Sequence, residues 1–191
     1  MVVAVSISLM FIGVLLAAGA VALEREEGAL MRLVRGLVSR ERLLLEKILL
    51  AAVCSFVVAL AMLAGVGAFV TLDWGRAGLW LAALAFGALA FGALGVAIGA
   101  LAREVRAASL LAFLLSLPLA FLALVPAGSL AGGLNEVIAV ISFVFPFKAT
   151  LQALDAAVNG SSPPIGSSLA HLAVLTLAFA ALARAGLARA E

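Results

Sequence analysis

The ionisable side chains of this chain are concentrated in the segment 24–47, which reads EREEGALMRLVRGLVSRERLLLEK. Half of all Lys, Arg, Asp and Glu residues lie there, between two long apolar runs. After Gly28 the apolar residues recur at helical spacing, while Arg32 and Arg35 fall on another face. Such a short amphipathic helix either lies on lipid headgroups or docks in a groove of a partner protein. The spacing alone leaves both open; the apolar face comprises Leu30, Leu33, Val34 and Leu37.

The residues at the two ends of this segment are expected to fix it to the apolar runs. Glu24, Glu26 and Glu27 precede or begin the amphipathic helix, where a helix N-terminus favours negative charge. Ser39 is a suitable N-cap for a second helix that continues into the next apolar run, with Lys47 near its start. The segment therefore predicts a membrane span, a short surface helix, a turn and a second span.

Residue patterns that would support catalysis are missing from the sequence. It has no G-x-x-x-x-G-K-[ST] phosphate loop, and neither Lys47 nor Lys148 follows a glycine-rich turn. The G-x-S-x-G and H-E-x-x-H motifs are missing as well. The single histidine, His171, and the single cysteine, Cys54, are expected to have structural roles. We therefore predict a chain that is not an enzyme and that holds no cofactor or metal of its own.

The composition is that of a membrane protein. The chain is 66% hydrophobic and only 12% charged, with a mean hydropathy of +1.32. Soluble domains are typically about half apolar and about a quarter charged. The net charge of +2 is carried by loops between apolar runs, so we expect a lipid bilayer rather than nucleic acid as the surroundings.

Five apolar segments approach the length of about 20 residues that a helix needs to cross a bilayer. Each must be helical, because lipid offers no partner for a free backbone group. The sequence predicts an all-α polytopic helix bundle in one transmembrane domain, 1–191, with short external helices before the last span. The predicted spans are 2–23, 48–70, 79–101, 108–125 and 165–187.

The basic residues predict the orientation of these spans. All Lys and Arg residues except Arg76 and Lys148 fall on one side, which the positive-inside rule makes cytoplasmic. The N-terminus is then outside an inner membrane, and the C-terminus and segment 24–47 are cytoplasmic. Segment 126–164 is external, and its apolar stretch 137–147 is too short to span, so we expect an interfacial or re-entrant helix.

Small residues dominate the third predicted span. Gly95 and Gly99 form a G-x-x-x-G pair, and Gly92 extends the small face along the helix. Such faces let two helices approach closely, either within one subunit or between subunits. The centres of the spans carry no ionisable residue, which argues against an ion-coupled transporter or a proton channel.

The charged segment resembles the cytoplasmic coupling-helix region of ABC-2-type transporter permeases. The pattern of that family is roughly E-R-E-x-G-T-L-E-x-L-L, then P-V-S-R, then G-K at the start of the next span. The departures are Ala29 for Thr, Met31 for Glu, Leu37 for Pro and Glu46 for Gly. The matching residues are Glu24, Arg25, Glu26, Gly28, Leu30, Leu33, Val38, Ser39, Arg40 and Lys47.

The resemblance implies the membrane subunit of an ATP-driven exporter. A separate ATP-binding cassette subunit would hold ATP and Mg²⁺, and a second copy of the chain or a homologous permease would pair with it. The family usually has one more span before the charged loop. Its absence here fits a truncated reading, a small chain that supplies the helix, or a fold in which five spans suffice. The implied contact residues are Glu26, Gly28, Leu30, Arg32, Leu33, Arg35 and Leu37.

Two other functions stay open at this point. A haem-exporter-type membrane subunit of cytochrome maturation has a similar charged loop, although the long external segment 126–164 fits it less well. A non-transporting membrane scaffold or assembly protein would have equally apolar spans. The presence of an ATP-binding partner separates the exporter from the scaffold.

Overall fold

The structure is a computed structural model that describes residues 1–27, 39–67, 69, 74–102, 104–123, 132–160 and 165–188. Every regular element in these ranges is helical, which confirms the predicted all-α class. The described residues form a short 3₁₀ turn, Trp74–Arg76, and seven α-helices. The helices are α1 (Val2–Glu26), α2 (Arg40–Gly67), α3 (Ala77–Leu101), α4 (Val105–Ala123), α5 (Gly132–Val144), α6 (Pro146–Asn159) and α7 (Ile165–Ala188).

Helix α3 is the centre of the bundle. It packs most extensively against α1 on one side and α7 on another, and it also contacts α2, α4 and α6. Every residue in the range 90–100 is buried. A helix that is apolar on all sides belongs in the interior, where its neighbours rather than lipid cover it.

Three glycines set the spacing between α3 and its neighbours. A Cβ atom on Gly95 would lie 2.5 Å from the carbonyl oxygen of Val14, and one on Gly99 would lie 2.6 Å from that of Ala18. On a neighbouring face, a Cβ on Gly92 would lie 2.9 Å from a backbone carbonyl of α2. The structure therefore uses the small residues of α3 for close packing against α1 and α2 within the chain.

Of the described helices, four are long and apolar enough to cross a membrane: α1, α2 from Glu41, α3 together with the 3₁₀ turn, and α7. The segments Glu136–Val144 and Pro146–Asn159 pass the same test only together, and they are bent by 81° at the break between them. By length and composition, the described residues thus offer four candidate spans, or five if the bent pair is one broken span. Helix α4 is apolar but shorter.

The break between α5 and α6 lies where the sequence predicts an interfacial or re-entrant helix. Pro146 is at the first position of α6, where its missing N–H costs no helical hydrogen bond. Phe145 before it has an extended backbone, as residues before proline prefer. The sharp bend follows from this local sequence and produces either a broken span or a re-entrant loop.

A second set of contacts joins the 3₁₀ turn to the end of α6. Arg76 donates a hydrogen bond to the carbonyl oxygen of Ala156 at 2.9 Å. Gly160 ends α6 in the left-handed conformation, with φ of 71°. Since only glycine adopts this conformation without strain, Gly160 closes the helix directly against the Arg76 guanidinium.

Candidate functional site

The structure describes the two ends of the charged segment 24–47. Residues 24–27 lie at the end of α1, and residues 39–47 lie at the start of α2. The predicted contact residues Gly28, Leu30, Arg32, Leu33, Arg35 and Leu37 lie outside the described residues.

The acidic residues lie where α1 ends. Helix α1 runs on to Glu26, past the predicted span 2–23, so Glu24 and Glu26 lie in its last turn. Glu27 is the C-cap residue, and its N–H donates to the carbonyl oxygen of Leu23 at 3.0 Å. Negative charge is unfavourable at a helix C-terminus, so these carboxylates need partners from other helices.

Arg25 fixes the end of α1 to the end of α3. Its Nη1 donates to the carbonyl oxygens of Ala100 at 2.6 Å and Ala102 at 3.0 Å. The last carbonyls of a helix have no partner within the helix, and a cation there also complements the helix dipole. A side chain of α1 thus supplies the C-terminal cap of α3.

Glu26 makes the complementary contact with the next helix. Its Oε2 accepts a hydrogen bond from the backbone N–H of Val105, the first residue of α4, at 3.0 Å. A carboxylate favours this position, because the first N–H groups of a helix lack partners and carry partial positive charge. Arg25 and Glu26 together therefore hold both sides of the corner between α3 and α4.

An ion pair joins α1 to α2. Lys47 Nζ pairs with Glu24 Oε1, and the two side chains are 12% and 22% exposed. Glu46 Oε1 lies 3.6 Å from the same ammonium. A largely buried pair of this kind is costly to break, because the remaining charge loses its partner while it stays out of water.

The start of α2 is also linked to the end of the last helix. Arg184 Nη1 lies 2.9 Å from Glu41 Oε1, and both side chains are exposed. Such a pair adds little stability, but it shows that the C-terminal part of α7 lies at the same end of the bundle. Ser39 precedes α2, and its carbonyl oxygen accepts from the N–H groups of Arg42 and Leu43 at 3.0 and 3.2 Å.

The described side chains of the charged segment therefore link helices to one another. The ends of α1, α2, α3, α4 and α7 are joined at one end of the bundle by side chains of the charged segment and their partners. A force on the residues between Glu27 and Ser39 would act on α1 and α2 first. It would reach α3 and α4 through Arg25 and Glu26.

Other candidate residues lie away from this end. His171 contacts the carbonyl oxygen of Phe143 through Nε2, and Cys54 is half-buried on α2. Among the described residues, no group of three or more His, Cys, Asp and Glu side chains is placed to hold a metal ion.

The cap that Arg25 provides and the link between Glu41 and Arg184 were missed by sequence reasoning. The sequence places Arg25 at the end of an apolar run, which is a signal for a cation near helix carbonyls. It does not say that the carbonyls belong to another helix 75 residues away.

Comparison with known proteins identifies the family. The family model described as ABC-2 family transporter protein matches residues 1–185. A search of curated proteins gave no match. The match covers both ends of the charged segment and all the described helices apart from the last residues of α7. The chain therefore belongs to the ABC-2 transporter family and is a multi-pass membrane permease component of an ABC transporter.

Proposed function

We propose that this chain is the membrane subunit of an ATP-driven exporter in the inner membrane. In this proposal, residues 28–37 form the coupling helix and dock on a separate ATP-binding cassette subunit. That subunit holds ATP and Mg²⁺, and two permease copies, or this chain and a homologous permease, pair above two such subunits. The charged segment and the C-terminus face the cytoplasm, and the N-terminus is outside.

The observation that carries the proposal is the set of polar contacts at the base of the charged segment. Lys47 and Glu24 tie its two ends together, while Arg25 and Glu26 tie it to α3 and α4. A headgroup-bound hairpin needs no such links between helices, whereas a lever that moves several spans together does. Membership of the family supports the same function, because its permeases generally work with an ATP-binding cassette subunit.

The proposed mechanism is a rigid-body movement of the spans. Closure of the ATP-binding subunits pushes on the coupling helix, and α1 and α2 move with it. The corner between α3 and α4 moves with α1, because its backbone at Ala100 and Val105 is hydrogen-bonded to side chains at the end of α1. The pathway then opens to the outside, and ATP hydrolysis resets it.

Residues of the coupling segment have different roles in this proposal. Leu30, Leu33 and Leu37 form the apolar anchor on the ATP-binding subunit, with Arg32 and Arg35 at the rim. Glu26 and Gly28 belong to the same predicted contact segment. A further partner is the lipid bilayer.

The test is ATP hydrolysis by the complex reconstituted in lipid, with Leu33→Glu and Leu33→Met compared with the wild type. We expect Leu33→Glu to lower substrate-coupled hydrolysis by about tenfold, since a buried interface anchor is replaced by a charge. Leu33→Met keeps the apolar volume and should retain most of the activity. Membrane insertion of both variants is checked by detergent extraction and size exclusion.

Unchanged coupled hydrolysis in a correctly inserted Leu33→Glu complex would show that residues 28–37 do not dock on the ATP-binding subunit. A chain that forms a stable assembly and never engages an ATP-binding subunit would instead support a membrane scaffold.

A further inference from the structure

A polar cavity lies at the bend between α5 and α6, away from the charged segment. It has a volume of about 240 Å³ and is lined by residues of α5, α6 and α7. Its polar side chains are Ser142, Lys148, Gln152 and His171, and Phe143 forms part of its wall. None of these residues takes part in the contacts at the charged end of the bundle.

Lys148 is the notable group in this cavity. Its side chain is half-buried, and within the described ranges no carboxylate lies within ion-pair distance of its ammonium. The neighbouring acidic residues Glu136 and Asp155 do not line the cavity, and Asp155 accepts a hydrogen bond from Asn159 at 2.6 Å. A cation among apolar helices is costly, and an ionisable residue there is by default a candidate for function.

Three of the remaining polar groups can donate into the cavity, while the Nε2 proton of His171 is already bound within the protein. The Nε2 of His171 lies 2.8 Å from the carbonyl oxygen of Phe143, and a carbonyl only accepts, so Nε2 carries the proton. The His171 ring also stacks against Phe143, with centroids 4.6 Å apart, which fixes its orientation. Lys148, the Gln152 amide and the Ser142 hydroxyl can all donate hydrogen bonds into the cavity. The chemistry matches an anion with several oxygen atoms, such as a phosphate.

The surface beside the cavity is apolar and uncovered. On α5, Val137, Val140, Phe143 and Val144 are exposed, with Phe143 at 68%. Exposed apolar side chains beside a half-buried cation suit a ligand with a charged head and a hydrocarbon tail. A free anion from water would use the cationic cavity and leave this surface unused.

We propose that the cavity formed by Ser142, Lys148, Gln152 and His171 binds the anionic headgroup of a phospholipid, with its acyl chains against the exposed face of α5. Lys148 supplies the charge, Gln152 and Ser142 donate hydrogen bonds to the phosphate, and His171, held by Phe143, forms part of the wall. This site is independent of ATP coupling, since it lies on other helices and needs no ATP-binding partner.

The test is native mass spectrometry of the full chain, purified in detergent and titrated with phosphatidylglycerol or phosphatidylcholine. We expect the wild type to prefer phosphatidylglycerol and Lys148→Gln to bind it about tenfold more weakly, as loss of a charge-assisted hydrogen bond predicts. Lys148→Arg should restore binding. Arg184→Gln removes a cation that pairs with Glu41 at the charged end of the bundle and should leave binding unchanged.

A second measurement uses only the wild-type chain. Acetylation of Lys148 by a succinimidyl ester is expected to slow when phosphatidylglycerol is added and to stay unchanged with phosphatidylcholine. Equal affinity of the wild type and Lys148→Gln for phosphatidylglycerol would overturn the site, and so would an equal loss of affinity in Arg184→Gln. Protection by inorganic phosphate at the same concentration as the lipid would overturn the assignment to a lipid.

Discussion

The guanidinium of Arg25 lies 2.6 Å from the carbonyl oxygen of Ala100, so a side chain at the end of α1 caps the end of α3. The next residue, Glu26, accepts from the N–H of Val105 at the start of α4. Two consecutive residues of α1 thus bind the C-terminal end of α3 and the N-terminal end of α4. In the proposed mechanism, this contact adds to the packing of α1 on α3 and links the charged segment to the central helix.

Replacing Arg25 is expected to uncouple the complex more than it unfolds the chain. Arg25→Met leaves the carbonyls of Ala100 and Ala102 without their cap, at a cost of about 2 kcal/mol for hydrogen bonds to a charged group. We expect ATP hydrolysis to continue while substrate transport falls several-fold, because α3 and α4 no longer follow α1. Parallel assays of hydrolysis and transport in lipid vesicles measure the ratio.

Arg25→Lys is the matched control for this variant. The lysine side chain retains the positive charge and can reach one carbonyl, but it lacks the forked donors of the guanidinium. Arg25→Lys should lie between the wild type and Arg25→Met. A constant ratio of transport to hydrolysis across all three proteins would contradict the role assigned to Arg25.

The ion pair between Glu24 and Lys47 is expected to behave as a unit. Lys47→Met leaves Glu24 charged and largely buried, so the free energy of unfolding should fall by about 2 kcal/mol. Glu24→Gln combined with Lys47→Met removes both charges and should recover part of this loss. Thermal unfolding of the four proteins of this double-mutant cycle gives the coupling energy.

Independent, additive effects of the two substitutions would show that the pair contributes nothing to the junction between α1 and α2. Glu41→Gln is a useful comparison, because its partner Arg184 is exposed and its loss should cost less than about 1 kcal/mol.

The contact between Gly95 and Val14 is expected to tolerate no side chain. In Gly95→Ala the new Cβ would meet a backbone oxygen at 2.5 Å, so α1 and α3 must separate. We expect the free energy of unfolding to fall by about 2 kcal/mol, as overpacking of a tight interface predicts. Gly65→Ala on α2 is the control, since a Cβ there has nothing within 4 Å. Equal melting temperatures for both variants would contradict this packing.

The end of α6 provides a backbone test. Gly160→Ala places a side chain in the left-handed region, at a cost of about 1 kcal/mol, and its Cβ would lie 2.9 Å from Arg76 Nη1. Gly166→Ala has open space around it and an ordinary backbone conformation, so its stability should change by less than about 0.5 kcal/mol. Thermal unfolding compares the two, and a larger loss in Gly166→Ala would be inconsistent with the structure.

The fold follows largely from the sequence because lipid restricts the choices. Apolar length predicts α1, α2, α3 and α7, and helical backbone is required in each. The short apolar stretch 137–147 indicates an interfacial or re-entrant helix, and the structure divides that stretch between α5 and α6 with an 81° break. These features depend on local sequence, which is why they can be read without coordinates.

The polar contacts could not be predicted in the same way. Arg25 and Glu26 pair with groups that are 75 and 79 residues away, and nothing local selects those partners over solvent or lipid headgroups. The glycines of α3 gave a similar ambiguity, because close packing within a chain and between chains uses the same small residues. The structure places Gly95 and Gly99 against α1 of the same chain.

The most direct test of the proposed function is purification of the tagged chain from its native membrane, with every associated chain identified and quantified. The account predicts an ATP-binding cassette subunit in near-equal amount, present with Leu33→Met and lost with Leu33→Glu, while the chain itself stays folded in both. If no ATP-binding subunit is recovered, or if it remains bound to Leu33→Glu as it does to the wild type, the assignment of residues 28–37 as the coupling helix is wrong.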